Sequence, residues 1–185
     1  MNNFVKSHGL GNDYIVMDLK KINFKLDKKR IKEICHRNYG IGADGILLLV
    51  NSKKADFGLK IYNPDGTEAE KSGNGLRIFS KYLYDYNYTK KRNFLIETKG
   101  GIVRSEVILK NKKIKDVKVD MGVASFESKK IPVKTKDKYS INQKIKVKNQ
   151  SFTYSSVTVG NPHCVIFLKN ISKDLALKFG RLIEE

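Results

Sequence analysis

One segment in the middle of the chain constrains the fold more than any other. Residues 72–75 read Ser-Gly-Asn-Gly, and residues 76–86 then carry apolar or aromatic side chains on most faces of a helix. A helix that is apolar nearly all round must be buried, because a surface helix keeps one polar face. The sequence therefore predicts a central helix enclosed by other elements, with Ser72 able to cap its N-terminus.

The rest of the chain reads mainly as short strands. Residues 56–62 place Phe57, Leu59 and Ile61 at alternate positions, which is typical of a half-buried strand. Asp27 can cap a short helix that ends near residue 37. Other strands are predicted at residues 4–6, 14–18, 46–50, 94–98, 102–109, 114–120, 131–133, 145–147, 152–159 and 165–168, and a last helix from residue 172. We expect two domains, residues 1–121 and 122–185, with the boundary near residues 122–127.

Two turns are candidate ligand sites. The free N–H groups and the dipole at a helix N-terminus favour a bound carboxylate, and glycines at positions 73 and 75 would let a ligand approach the backbone. By itself, however, this tetrapeptide favours a capping serine over a ligand site. The second turn, Gly-Asn-Pro-His at residues 160–163, ends in a histidine. A lone histidine is more often structural, and His163 gains interest only if the fold brings it near Ser72.

Composition restricts the other functional classes. The formal net charge of +18 far exceeds the magnitude of roughly 2 to 8 that is usual for a small domain. The excess comes from 31 lysines against 6 arginines, spread over strand-like positions and without a nucleic-acid motif. Nucleic-acid binding is therefore a minor hypothesis, because arginine is the usual reader of phosphates and bases. No apolar run suits a membrane span, and two isolated cysteines favour a reducing cytoplasm over disulfides or zinc.

Five motifs occur in order and together resemble the diaminopimelate epimerase family across nearly the whole chain. Each motif alone is weak, but five in order and at the right spacing make a strong match. The motifs are His-Gly-Leu-Gly-Asn-Asp at 8–13, Gly-Ile-Gly-Ala-Asp-Gly at 40–45, Asn-Pro-Asp-Gly-Thr-Glu-Ala-Glu at 63–70, Ser-Gly-Asn-Gly-Leu-Arg at 72–77 and Gly-Asn-Pro-His at 160–163.

The resemblance implies an α+β fold of two similar halves, each a curved, mostly antiparallel sheet wrapped around a central helix. The helix at 73–86 would be the first of these central helices. It also implies a cofactor-independent, metal-free amino-acid epimerase that interconverts LL- and meso-diaminopimelate for lysine and peptidoglycan synthesis. A thiolate from one half would remove the α-proton while a thiol from the other half reprotonates the opposite face. Ser72 and His163 match catalytic positions, and the substrate-binding positions are Asn12, Asn63, Gly73, Asn74 and Asn161.

Three features depart from the family pattern. Ser72 stands where the family has its first catalytic cysteine, and a hydroxyl is a far weaker acid than a thiol. Gly45 stands where some members carry a polar substrate-contacting side chain. The second cysteine motif of the family would lie beyond residue 185, so we expect the second half to be incomplete. A second chain or self-association would then complete it.

Several functions stay open on sequence grounds. The leading hypothesis is an epimerase of the diaminopimelate type that is impaired or incomplete as this chain. The first alternative is a non-catalytic fragment or one chain of a split enzyme. The second is a racemase or isomerase of another amino acid, and the third is a basic nucleic-acid-binding protein.

Overall fold

A computed structural model describes residues 3–184, and within them the largest feature is an eight-stranded sheet. Its strands are β1 (Phe4–Gly9), β2 (Asn12–Asp18), β3 (Ile46–Val50), β4 (Phe57–Tyr62), β5 (Glu68–Ala69), β6 (Asn93–Thr98), β7 (Gly101–Lys110) and β8 (Lys113–Val119). Their order is β1-β2-β3-β4-β6-β7-β8, with β5 paired to β4. The pairs β2–β3 and β4–β6 are parallel and the others antiparallel. This confirms the expected mostly antiparallel sheet.

The two parallel pairs are each joined by a helix, because parallel neighbours need a crossover. Helix α1 (Lys28–Cys35) connects β2 to β3, and α2 (Gly73–Asp85) lies between β4 and β6. Leu76, Phe79 and Leu83 of α2 are fully buried in the core that α2 forms with one face of the sheet. Burying a side chain of this size contributes about 1.5–3 kcal/mol. The predicted central helix is thus confirmed, although it ends at residue 85 and not at 86.

Helix α1 belongs to a second core that lies apart from the α2 cluster. It contributes Ile31 and the buried Cys35, which confirms the expectation that this cysteine is a core residue. Strands β2 and β3 are therefore buried on both faces, which explains their consecutive apolar residues. The strand residues in this cluster are Ile15, Met17, Ile46 and Leu48.

The chain divides into two compact units, the first ending at Met121 and the second beginning at Gly122. The second unit contains β9 (Gln143–Val147), β10 (Gln150–Thr158), β11 (Pro162–Ile166) and α3 (Lys173–Glu184). Its strands form an antiparallel sheet in the order β11-β10-β9. Phe152 and Phe179 join this sheet to α3, with ring centroids 5.2 Å apart. Among residues 3–184, no helix combines the length and the apolar character that a membrane crossing requires.

The second unit also corrects three details of the sequence prediction. Residues 131–132 form a turn and residue 133 lies outside any strand, because the proline at position 132 has no N–H to donate to a partner strand. The last strand, predicted at residues 165–168, begins earlier and ends at Ile166, so Phe167 lies beyond it and is exposed. In α3, Leu182 is 44% exposed and does not face the core as predicted, whereas Leu175 and Ile183 do.

Candidate active site

The N-terminus of α2 is the centre of the candidate site. Ser72 has extended backbone angles, and its Oγ accepts a 3.0 Å hydrogen bond from the N–H of Gly75, as an N-cap does. The first intrahelical hydrogen bond runs from the N–H of Leu76 to the carbonyl of Ser72, so the N–H groups of Gly73 and Asn74 have no acceptor within the helix and point out of its end. A Cβ at position 75 would lie 3.0 Å from Leu47, so glycine lets the helix start close to the sheet.

The hydroxyl of Ser72 has one further partner among the described residues. It lies 3.1 Å from the hydroxyl of Tyr14, a buried residue of β2. Neither a backbone N–H nor a phenol is a base that could take a proton from serine. Ser72 is therefore held in place, but these two contacts do not activate it as a nucleophile or base.

Two asparagines meet beside this helix end. The Nδ2 of Asn74 donates to the Oδ1 of Asn12 at 3.3 Å, and the Nδ2 of Asn12 donates to the Oδ2 of Asp44 at 3.0 Å. A guanidinium nitrogen of Arg77 donates to the Oδ1 of Asn74. The structure thus brings the predicted residues Asn12, Ser72, Gly73 and Asn74 together at one end of α2.

The hairpin between β1 and β2 carries Asn12 into this position. Its two turn residues, Leu10 and Gly11, have φ angles of 56° and 89°, so the turn uses the left-handed region that glycine tolerates best. Asp13 follows and is clamped by Arg37 at 2.8 Å and Lys6 at 3.2 Å. The hydrogen bond from Arg37 lowers the pKa of Asp13 from 3.8 to about 2 against the opposing effect of burial. Asp13 is consequently a fixed anion that anchors the hairpin.

Asn63 does not join this cluster through its own hydrogen bond. Its Nδ2 donates to the Oγ1 of Thr67 at 3.0 Å, inside the turn that also holds Asp65. The residue is exposed. The side-chain amide of Asn63 is therefore engaged by a neighbour in its own turn and not by the residues at the N-terminus of α2.

The other two predicted residues lie in the second unit. His163 is exposed and pairs with Val157 at the start of β11, so it belongs to a strand and not to the preceding turn. Asn161 stands in that turn, after Gly160 with its φ of 110°. The Oδ1 of Asn161 is buried and has no hydrogen-bond partner among the described residues. A buried acceptor without a donor is costly, and a ligand N–H would offset that cost.

Sequence reasoning assigned no role to four residues that shape the site. Tyr14 contacts Ser72, while Arg37, Asp44 and Arg77 hold the asparagines and the hairpin. Asp44 and Arg77 lie inside the family motifs at 40–45 and 72–77, which could have marked them as site residues. The local sequence does not show which side chains they contact. Within residues 3–184, no three His, Cys, Asp or Glu side chains converge as a metal site would require.

Comparisons with known proteins identify the family. The family model described as diaminopimelate epimerase matches residues 4–127. The chain is 50% identical to diaminopimelate epimerase 2 of Nostoc sp. over 182 residues, which cover 98% of this chain and 63% of that protein. It is 39% identical to the diaminopimelate epimerase of Caldanaerobacter subterraneus, covering 98% of this chain and 66% of that protein. The chain therefore spans less than two-thirds of the length of these two relatives.

Solved structures with the same fold share little sequence with this chain. A probable proline racemase from Agrobacterium radiobacter, with bound carbonate, superposes with a TM-score of 0.71 at 15% identity and covers 98% of this chain and 57% of that one. A hydroxyproline epimerase from Agrobacterium vitis gives 0.67 at 15% identity, with 88% and 50% covered. The family match, the relatives and the fold lead to one conclusion: the chain belongs to the diaminopimelate epimerase family.

Proposed function

We propose that this chain acts as a cofactor-independent amino-acid epimerase of the diaminopimelate type, in lysine and peptidoglycan precursor synthesis. The observation that carries the proposal is the pair of asparagine amides, Asn12 and Asn74, hydrogen-bonded to each other at the N-terminus of α2. Helix N–H groups and amide donors suit the α-carboxylate of an amino acid. The side-chain atoms nearest the position of the missing Cβ of Gly73 are Nη1 of Arg77 at 3.7 Å and Sδ of Met121 at 3.9 Å, so a guanidinium cation borders this helix end.

The proposed chemistry is proton exchange at Cα. Removing the α-proton spreads negative charge onto the carboxylate, where fixed N–H donors stabilise it more strongly than in the ground state. The buried Oδ1 of Asn161 supports a role in accepting an N–H from the substrate. We assign to His163 an influence on the proton affinity of the acid–base pair, and to Asn63 a contact with the distal part of the substrate.

A second candidate is substrate binding without turnover. It is favoured by the contacts of Ser72, because the Gly75 N–H and the Tyr14 hydroxyl include no base. An unactivated hydroxyl in place of a thiol would leave proton abstraction on that face slow. The two candidates differ in whether the bound substrate exchanges its α-proton.

We also propose that this protein is cytoplasmic and that its second unit binds another polypeptide or a second copy of this chain. Cys35 and Cys164 are both free thiols, which fits a reducing compartment. Exposed apolar side chains in the second unit fit a partner surface. They include Phe167 at 87%, Ile171 at 82% and Leu177 at 71% exposure.

The test is deuterium uptake at Cα in D2O, with LL-diaminopimelate and several other amino acids, together with titrations followed at the backbone amides of Gly73 and Asn74. Exchange supports the epimerase, and its substrate profile tells diaminopimelate from another amino acid. Binding without exchange supports the second candidate. Asn74→Ala should weaken binding, whereas Asn51→Ala, an exposed asparagine outside the site, should not. If no amino acid perturbs Gly73 or Asn74, both candidates are wrong.

A further inference from the structure

Four side chains at the candidate site form one continuous series of hydrogen bonds. Arg77 donates to the Oδ1 of Asn74, the Nδ2 of Asn74 donates to the Oδ1 of Asn12, and the Nδ2 of Asn12 donates to Asp44. All three bonds are partly buried, so solvent screens them less than surface contacts. The series joins residues that lie far apart in sequence, 62 positions between Asn12 and Asn74 and 32 between Asn12 and Asp44.

The two ends of this series determine its direction. A guanidinium can only donate hydrogen bonds and a carboxylate can only accept them, whereas an amide side chain can do either. With Arg77 at one end and Asp44 at the other, each asparagine must turn its oxygen toward Arg77 and its NH2 group toward Asp44. If either amide were reversed, its NH2 group would face another donor and its oxygen would face another acceptor. The amide orientations of Asn12 and Asn74 are therefore set by residues outside the pair.

Asp44 is itself held firmly. Its Oδ1 accepts from Arg37 at 2.7 Å, and its Oδ2 accepts from the backbone N–H of Asp13 at 3.1 Å as well as from Asn12. Arg77 at the other end also lies near the helix terminus, with Nη1 3.7 Å from where a Cβ on Gly73 would stand. A cation near a helix N-terminus opposes the helix dipole. A bound carboxylate would relieve that repulsion.

We propose that Arg77 and Asp44 are positioning residues that lock the amide orientations of Asn74 and Asn12 for a ligand carboxylate at the N-terminus of α2. The inference rests on the proposed function for the identity of the ligand, but not for the hydrogen-bond series. Each locked NH2 group uses one N–H within the series and keeps the other available as a donor. A freely rotating amide would present its oxygen to the carboxylate part of the time and weaken binding.

The test uses Arg77→Met, which removes the donor, and Arg77→Lys, which restores a group that can only donate. Arg92→Met is the matched control, because Arg92 is exposed and lies outside the series. The readouts are the side-chain amide NMR resonances of Asn12 and Asn74 and the calorimetric dissociation constant of meso-diaminopimelate. We expect Arg77→Met to shift the resonances of both asparagines and to weaken binding about 10-fold, or about 1.4 kcal/mol. Arg77→Lys should recover most of both effects, and Arg92→Met should change neither.

Asp44→Ala removes both acceptor oxygens at the other end of the series, and it is the second test if Arg77→Met does not fold. It should shift the amide resonances of Asn74, which Asp44 does not contact. If Arg77→Met leaves the Asn12 resonances unchanged, if Asp44→Ala leaves those of Asn74 unchanged, or if lysine restores nothing, the proposal is overturned. If the unchanged protein binds no diaminopimelate, the proposed function fails, and the resonances still decide whether the orientations are locked.

Discussion

The hydroxyl of Tyr14, on a buried strand, lies 3.1 Å from the hydroxyl of Ser72, which caps the central helix. This contact fixes the side chain at the position that the family resemblance assigns to a catalytic cysteine. Ser72 thus has a structural role as a cap whether or not it takes part in proton transfer. Replacing Ser72 by cysteine tests its role in proton transfer, and replacing it by alanine tests its role as a cap.

Ser72→Cys should raise the rate of Cα–H exchange by about 10²–10⁴, the contribution of a positioned acid or base. A thiol at a helix N-terminus is far more acidic than a hydroxyl. The measurement is deuterium incorporation into LL-diaminopimelate by mass spectrometry. Ser151→Cys, on the exposed side of β10, controls for the added thiol. Equal rates for the serine and cysteine forms would show that position 72 does not act as a base.

Tyr14→Phe and Ser72→Ala should be energetically coupled. Ser72→Ala removes the N-cap and should lower the free energy of unfolding by about 0.5–2 kcal/mol. Tyr14→Phe should lower it by about 1 kcal/mol, because it leaves the Ser72 hydroxyl with one partner fewer. Urea denaturation of the single and double variants measures the coupling. A double variant that is simply the sum of the two singles would contradict a direct hydroxyl contact.

Asp13 should make stability dependent on acid pH. The pKa of Asp13 is lowered from 3.8 to about 2 in the folded protein. Its contribution to the free energy of unfolding is therefore fully present above pH 3.8 and is lost as the pH falls toward 2. At neutral pH, Asp13→Asn should lower the free energy of unfolding by about 1 kcal/mol, after allowance for solvent screening. The difference between the two proteins should shrink between pH 4 and pH 2. Asp116→Asn, an exposed carboxylate, is the control, and a constant difference across that range would contradict the ion pair with Arg37.

The two thiols should differ in reactivity. Burial raises the pKa of both thiols, that of Cys35 to about 11, but the residue Cys35 is only 3% exposed whereas Cys164 is exposed. Iodoacetamide at pH 8 should therefore modify Cys164 in the native protein and Cys35 only after unfolding. Peptide mass spectrometry over time gives the two rates, with Cys164→Ser as the control. Native labelling of Cys35 at the rate of Cys164 would contradict its place in the core.

The sequence by itself determined the elements whose signals are local. Ser72, followed by glycines and then by an apolar run, predicted a buried central helix. The alternation of apolar residues around Leu59 predicted β4. Capping and period-two patterning act between neighbours in the chain, so they can be read without knowing the fold. The ordered motifs also indicated the family, which the comparisons confirm.

Only the tertiary structure decided which side chains meet. Whether Asn12 reaches Asn74 depends on β1–β2 pairing and on α2 lying against that sheet, and no local pattern contains this information. Residues 131–133 show the reverse case, since an apolar run predicted a strand that none of residues 3–184 pairs with. A strand exists only when another strand supplies hydrogen bonds, and the amide orientations of Asn12 and Asn74 likewise depend on partners distant in sequence.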